Sequence, residues 1–271
     1  MIRSAVTISL VAEARGGPFV FWDDWQAGCR AAKELGFDAV EIFPPAADAI
    51  DRVALRKTLT DLGLSVAAVG TGAGWVKHRL QLCLPEADAR RRARDFIRSI
   101  IDFGAEFNAP AIMGSMQGRH GDGIDQPTAQ AWLIEGLNEL GAHAGSLGQP
   151  LLYEPLNRYE TNQVNTVEGG LALLKKLSVD NVLLLCDLFH MNIEEIDIAA
   201  ALRTGGKKVG HVHFVDTNRR AAGYGHMDYR PIAAALVDIG YDRYASAEVL
   251  PLPDPMSAAK QTIEAFRKFF R

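Results

Sequence analysis

The sequence of 271 residues has little cysteine and no long hydrophobic run. Its three cysteines, Cys29, Cys83 and Cys186, are odd in number and far apart, which argues against a disulfide framework and favours a reducing compartment. No apolar run approaches the ~18–20 residues needed to span a membrane. The first apolar stretch is interrupted by hydroxyl residues and followed by Glu13 and Arg15, so it predicts a strand rather than a signal peptide. We therefore expect a cytoplasmic protein with no membrane partner.

The sequence also lacks an excess of basic charge. Lys and Arg total 29 against 33 Asp and Glu, which gives a net charge of −4 and a pI near 6.0. No basic field is available to attract nucleic acid, so no nucleic-acid partner is expected. A local run of arginines lies in a helical pattern and is interpreted as a solvated helix face: Arg90, Arg91, Arg92 and Arg94. Hydrophobic residues make up 48% of the chain, which excludes a disordered protein.

Eight short apolar runs alternate with longer segments of helical period. The predicted strands are Ala5–Leu10, Ala39–Phe43, Ser65–Val69, Ala111–Met113, Leu151–Glu154, Val182–Cys186, Gly210–Val215 and Ala245–Val249. Asp23 and Asp24 offer a cap for a helix that runs through Leu35 and ends at Gly36. Strands and helices that alternate at ~30-residue intervals indicate parallel βαβ units.

A doubly wound sheet is the structural alternative, but it would normally carry a phosphate-binding glycine loop after the first strand. The sequence there, VAEARGGPF, has no such loop. Gly70, Gly72 and Gly74 form GxGxG after the third strand, and Trp75 stands where the last glycine would be, so a tight turn is predicted. The sequence therefore predicts an α/β protein, a (β/α)8 TIM barrel that forms one domain over residues 1–271.

Acidic and histidine residues follow the strands where such a barrel assembles its active site. Strands five, six and eight end in Glu154, Asp187 and Glu248, and strand seven carries His211 and His213. The two histidines are two residues apart, so both side chains point to one face of the strand. His213 lies nearer the rim of the barrel and is the ligand candidate. His211 is expected to be a packed interior residue or to support the site. One such acid is often a helix cap or the partner of an arginine. Burying four such groups without a cation would cost many kcal/mol, and carboxylates with one imidazole suit Mn²⁺, Mg²⁺ or Co²⁺.

Four segments resemble the xylose-isomerase-like sugar isomerase/epimerase superfamily. They are EPLNRYE (Glu154–Glu160), CDLFHMNIEE (Cys186–Glu195), GHVHFVDTNRRAAGYGHMD (Gly210–Asp228) and AEVLPLP (Ala247–Pro253). Within the superfamily they are similar to the ketose 3-epimerase branch, of the D-tagatose and D-psicose 3-epimerase type, and their motifs are most similar to the 5-keto-L-gluconate epimerase type. The sequence departs from the tagatose type at Asp216, where that type has Glu, and in VLPLPDP after Glu248. Both departures bear on the substrate more than on the chemistry.

The resemblance implies a role for each matched residue. One divalent ion, Mn²⁺ as the first expectation, would be bound by Glu154, Asp187, His213 and Glu248. Glu154 and Glu248 would also be the acid/base groups that flank the substrate carbon. The family holds the sugar oxygens at the positions of Glu160, His190 and Arg219.

The function implied is a metal-dependent epimerase of a non-phosphorylated ketose or keto-sugar acid, acting through a metal-stabilised cis-enediolate. An aldose-ketose isomerase with the same metal site, hydroxypyruvate or inosose types included, is the alternative. A metal-dependent phosphodiesterase or repair nuclease would need several metals and a basic groove, and a sugar-binding barrel would need no opposed carboxylates. By analogy with such epimerases, a homodimer or homotetramer is expected.

Several further residues are candidates at the rim of the barrel. A keto-sugar acid would need a basic group for its carboxylate, and the candidates are Arg119, His120, Lys77 and His78. His226 and Asp228 are expected either to support the site or to make a loop–loop contact. The aromatic candidates for a pocket wall are Trp22, Phe43 and Trp75.

Overall fold

Eight parallel strands close into a barrel, since the last strand pairs with the first in the computed structural model, which describes residues 1–271. The strands of the barrel are β1 (Arg3–Ser9), β3 (Ala39–Phe43), β4 (Ser65–Gly70), β5 (Ala111–Met113), β6 (Leu151–Tyr153), β7 (Val182–Asp187), β8 (Val209–His213) and β9 (Tyr244–Ala247). A two-residue strand that the sequence did not predict, β2 (Phe21–Trp22), pairs with the end of β1. The predicted (β/α)8 TIM barrel is confirmed.

Helices surround the barrel and connect its strands. They are α1 (Trp25–Leu35), α2 (Arg52–Leu62), α3 (Ala73–Val76), α4 (Ala87–Ala105), α5 (Gln126–Ser146), α6 (Val167–Leu174), α7 (Leu188–Glu194), α8 (Ile198–Gly205), α9 (Tyr229–Asp238) and α10 (Pro255–Phe270). The predicted helix after Asp24 is confirmed: the Asp24 side chain accepts a hydrogen bond from the Ala27 amide at 2.9 Å, and Gly36 ends the helix with φ +86°. No helix is long and apolar enough to cross a membrane.

The alternation of side chains along each strand separates two environments. Residues such as Val6 and Ile8 of β1 belong to the main apolar core of the protein, while Thr7 between them lines a cavity. Further along the barrel, Leu152 and Leu185 pack in a small apolar cluster, two residues before Glu154 and Asp187. Because side-chain direction repeats every two residues along a strand, Glu154 and Asp187 point to the same side of their strands as the small apolar cluster.

The arginine run on α4 is less solvated than the sequence predicted. Arg91 and Arg92 are exposed, but the Arg94 side chain is only 15% exposed and its Nε lies 2.7 Å from Glu139 Oε2 on α5. The Arg90 guanidinium lies 4.1 Å from the centroid of the Trp132 ring. The prediction of a solvated face was therefore wrong for Arg90 and Arg94, which contact residues of α5.

Candidate active site

A cavity of about 330 Å³ lies over the carboxyl ends of the strands. Its size is at the lower end of the range of ligand pockets, ~300–1,000 Å³. The strands and the loops after them contribute polar groups to the lining, among them Glu41, Glu154, Glu160, His190, Arg219 and Glu248. One wall is aromatic, because the Phe19 and Phe43 rings stack with centroids 4.5 Å apart and both line the cavity.

The four residues predicted as metal ligands lie together at this cavity. Glu154, Asp187, His213 and Glu248 each offer one ligand atom, and these atoms all lie within 4.8 Å of one another. His213 Nδ1 is 3.1 Å from Asp187 Oδ2, 3.5 Å from Glu248 Oε2 and 3.8 Å from Glu154 Oε1. Three carboxylates and one imidazole form a donor set that suits a hard or borderline divalent cation.

The turn from β7 into α7 fixes the position of Asp187. Its Oδ1 accepts hydrogen bonds from the amides of Phe189 at 2.7 Å and His190 at 3.2 Å, so Asp187 is the N-cap of α7. This leaves Oδ2 directed at His213. The helix-cap interpretation and the ligand prediction are therefore compatible in one side chain.

Glu154 depends on a neighbouring glycine for its position. A Cβ atom on Gly114, in the loop after β5, would fall on Glu154 Oε2 and lie 3.4 Å from its Cδ. The main-chain oxygen of Glu154 accepts a hydrogen bond from Gln117 Nε2 at 3.0 Å, and the Glu154 amide donates to the Met113 carbonyl at 3.1 Å. The loop after β5 thus holds Glu154 by its backbone and leaves space for its carboxylate.

The electrostatics of the cluster favour a bound cation. Burial raises the pKa of Glu154 well above its ordinary value, against the attraction of His213, and the charges of Glu248 and Asp187 raise it further. Burial also raises the pKa of Glu248. Burial acts in the same direction on Asp187, but His190 and Arg219 outweigh it and the pKa of Asp187 is lowered.

His213 belongs to the same electrostatic cluster. Burial would lower the pKa of His213, but Glu248 and Glu41 outweigh it, so the pKa is raised well above its ordinary value. Buried carboxylates that crowd one imidazole must be compensated by protons or by a cation. The residues present therefore fit a divalent metal ion.

The three residues predicted to bind substrate lie beside this cluster. Arg219 Nη2 donates to Glu248 Oε2 at 2.7 Å, and its Nη1 lies 3.3 Å from His190 Nε2 and 3.8 Å from Glu160 Oε1. The guanidinium lies 4.7 Å from the centroid of the Phe189 ring. Its Nε is buried without a hydrogen-bond partner.

His190 is oriented by Asn157, which the sequence analysis did not single out. The Asn157 amide N–H donates to His190 Nδ1 at 3.2 Å, so in the neutral ring the proton resides on Nε2. Asn157 Nδ2 also donates to Glu160 Oε1 at 3.1 Å. Burial lowers the pKa of His190, which favours this neutral form. His190 Nε2 is then a donor on the cavity side.

Of the remaining predicted candidates at the rim, only Phe43 lines the cavity. Lys77, His78 and Arg119 are exposed, and the His120 amide donates to Asn162 Oδ1 at 2.9 Å outside the lining. Exposed Asp228 is the N-cap of α9 and pairs with Arg230. Exposed His226 contacts Thr217 Oγ1 at 3.3 Å, a contact within its own loop. Among the aromatic candidates, Phe43 lines the cavity and Trp22 and Trp75 do not.

Three charged residues of the lining were missed: Glu13, Arg15 and Glu41. Arg15 lies at the mouth, pairs with Asp23, and has its guanidinium 5.0 Å from the centroid of the Trp22 ring. Glu41 of β3 is buried and contacts both histidines of β8. The strand period could have found Glu41, because Ala39, Glu41 and Phe43 share one face of β3. No periodic signal marks Arg15.

Comparison with known proteins gives consistent matches over most of the chain. A family model described as xylose isomerase-like TIM barrel matches residues 29–269. The chain is 31% identical over 236 residues to the D-psicose 3-epimerase of Agrobacterium fabrum, covering 82% of this chain and 80% of that protein. It is 32% identical over 216 residues to the L-ribulose 3-epimerase of Mesorhizobium japonicum, covering 77% and 70%. The solved structure of an L-ribulose 3-epimerase matches with a TM-score of 0.79 at 26% identity, covering 99% of this chain and 94% of that chain.

Proposed function

We propose a function for this chain on the premise that it belongs to the xylose isomerase-like TIM barrel family and is an isomerase-class enzyme of the ketose 3-epimerase branch. The proposed reaction is the epimerisation of a neutral, non-phosphorylated ketose at C3. We further propose a divalent ion, Mn²⁺ first and Mg²⁺ or Co²⁺ as alternatives, bound by Glu154, Asp187, His213 and Glu248. The observation that carries this proposal is the cluster of three carboxylates and one imidazole, all within 4.8 Å, beside a cavity of monosaccharide size.

In this mechanism the proton is moved by Glu154 and Glu248. They follow β6 and β9, which are separated in the barrel by β7 and β8, so they approach the substrate from different strands. One carboxylate takes the proton from the substrate carbon, and the other delivers a proton to the opposite face. When bound, the divalent ion supplies positive charge that stabilises the negative charge developing on the substrate oxygens.

Three side chains would orient the sugar. His190 donates from Nε2 to a substrate oxygen, since Asn157 occupies its Nδ1. Arg219 donates from its guanidinium, which lines the cavity and is held by Glu248. Glu160, exposed at the rim, accepts a hydrogen bond from a sugar hydroxyl. Fixing the substrate in one orientation is what allows a carboxylate to reach the proton on a single carbon.

The lining supports a neutral sugar over a charged one. None of the four basic candidates for a substrate carboxylate lines the cavity. A phosphate would need several free cationic or amide donors, whereas Arg15 and Arg219 are already paired with Asp23 and Glu248. A keto-sugar acid is the second candidate, and Arg15 at the mouth is the observation that favours it.

The proposal is tested by removing the metal and reading the products. Exhaustive chelation should abolish turnover, and added Mn²⁺ or Co²⁺ should restore it. A panel of ketoses, keto-sugar acids and aldoses in D₂O, followed by NMR, should show deuterium entering at C3 of a neutral ketose. Full activity in a preparation shown to be metal-free by elemental analysis would contradict the metal site, and an aldose product would favour the aldose-ketose isomerase. The expected homodimer or homotetramer stays a prediction for light scattering.

A further inference from the structure

Glu41 of β3 bridges the two histidines of β8, a strand separated from β3 by β9 and β1. It lies in the middle of β3, and only 4% of the residue is exposed. Its Oε2 is 2.8 Å from His211 Nε2, and its Oε1 is 3.2 Å from His213 Nε2. The two imidazole rings are nearly perpendicular, at 86°. One buried carboxylate therefore contacts both imidazole rings, with one oxygen facing each ring.

The contact with Glu41 determines which nitrogen of His213 is free. An ionised carboxylate has no proton to donate, so the nitrogen facing it carries the N–H. With Nε2 protonated, the neutral ring has its lone pair on Nδ1, the atom that lies 3.1 Å from Asp187 Oδ2 and 3.5 Å from Glu248 Oε2. Metal-binding histidines commonly have this arrangement, in which the second ring nitrogen makes a hydrogen bond that fixes both the tautomer and the ring orientation.

We infer that Glu41 is a positioning residue of the metal site, holding His213 in the Nε2–H tautomer so that Nδ1 is the donor atom directed at Glu154, Asp187 and Glu248. This inference rests on the proposed function, since it assumes that these four residues bind a divalent ion. Glu41 is not itself part of the four-residue cluster whose ligand atoms lie within 4.8 Å of one another. Its effect on the ion passes through His213.

The role of His211 follows from the same geometry. His211 is 1% exposed, and its Nε2 lies within hydrogen-bond distance of Oε2, the second carboxylate oxygen of Glu41. It limits the rotation of the carboxylate, so that Oε1 remains directed at His213. Removing His211 should loosen Glu41 without removing the acceptor from His213. His211 is therefore the matched control for Glu41.

The same three residues could instead bind a second ion, because Glu41, His211 and His213 also offer three ligand atoms within 4.8 Å. In the positioning account, the Nε2 atoms of both rings carry protons and cannot coordinate a metal. The two interpretations differ in stoichiometry, one ion per chain against two. Elemental analysis of the loaded protein separates them.

The test is the affinity of the metal-free protein for Mn²⁺, measured by calorimetry for the unchanged chain, Glu41→Gln and His211→Gln. The amide of Glu41→Gln offers one acceptor oxygen for two N–H groups, so we expect Mn²⁺ affinity to fall about 10–100-fold. His211→Gln should lose less affinity, because Glu41 still accepts from His213. If both variants melt earlier but bind Mn²⁺ as the unchanged chain does, Glu41 has a structural role only and the inference fails.

A measurement on the unchanged chain keeps the inference testable if Glu41→Gln does not fold. Selective ¹⁵N labelling of the seven histidines, with Mg²⁺ bound, allows the tautomer of His213 to be read by long-range ¹H–¹⁵N correlation. We expect a proton on Nε2; a proton on Nδ1, or two ions per chain, would overturn the inference. If the unchanged chain binds no divalent ion, both the proposed function and this inference fail. If Glu41→Gln binds Mn²⁺ as tightly as the unchanged chain does, only the inference fails.

Discussion

An alanine at position 114 is expected to disable the metal site while leaving the barrel folded. The added Cβ would overlap Glu154 Oε2, which must retreat by about 1 Å to reach an ordinary van der Waals distance. Metal–ligand distances tolerate only about 0.2 Å, so this movement removes Glu154 from the donor set. We expect Mn²⁺ affinity to fall about 10–100-fold. Because Glu154 is also proposed as an acid/base group, kcat/KM should fall about 10²–10⁴-fold.

The assay compares Gly114→Ala with Gly145→Ala, a glycine-to-alanine change in α5. A Cβ on Gly145 would meet only the Asn181 side chain, at 3.2 Å. Calorimetry with Mn²⁺, epimerisation rates and thermal melting followed by circular dichroism would be measured for both. The control should keep metal affinity and rate. Unchanged Mn²⁺ affinity and rate in Gly114→Ala would refute the reasoning, because they would mean that Glu154 is not needed where the structure places it.

Three further predictions address other parts of the chain. Arg219→Lys keeps the charge but loses the planar fork that donates to Glu248, so kcat/KM should fall while Mn²⁺ still binds; unchanged kinetics would assign Arg219 a structural role. Arg15→Gln should leave kcat/KM for a neutral ketose unchanged. A fall in kcat/KM of about tenfold, confined to keto-sugar acids, would favour the second substrate class. Asp24→Ala removes the N-cap of α1 and should lower the free energy of unfolding by about 1 kcal/mol, measured by urea titration, with kcat unaffected.

The barrel could be predicted from the sequence because its strands are buried on both sides. Such strands read as short, nearly continuous apolar runs, and helix signals such as Asp24 and Gly36 separate them. The cluster of Glu154, Asp187 and Glu248 could be anticipated for a related reason. In parallel strands, the residues at the carboxyl ends must meet at one end of the barrel whatever the loops do.

The parts that could not be predicted depend on contacts across the barrel or on irregular loops. The strand period places Glu41 on the same face of β3 as Phe43, but its partner His211 is 170 residues away, and nothing local in AVEIF indicates that contact. Arg15 lies in a segment without periodicity, between a short 3-10 turn and β2. Arg119 was chosen because glycine-rich loops at this end often contact ligand, but it is exposed outside the lining. Loop conformation is determined by tertiary contacts that the local sequence does not encode.

The central claim is that Glu154 and Glu248 transfer the proton at opposite faces of one substrate carbon. The measurement is deuterium wash-in from D₂O into each of the two epimers, with Glu154→Gln and Glu248→Gln, after metal content has been confirmed. An amide cannot accept the proton, so each variant should still exchange the proton of one epimer faster than it converts that epimer, and should show little exchange with the other. The two variants should give mirror-image patterns. The same residual exchange with both epimers in both variants would contradict the account.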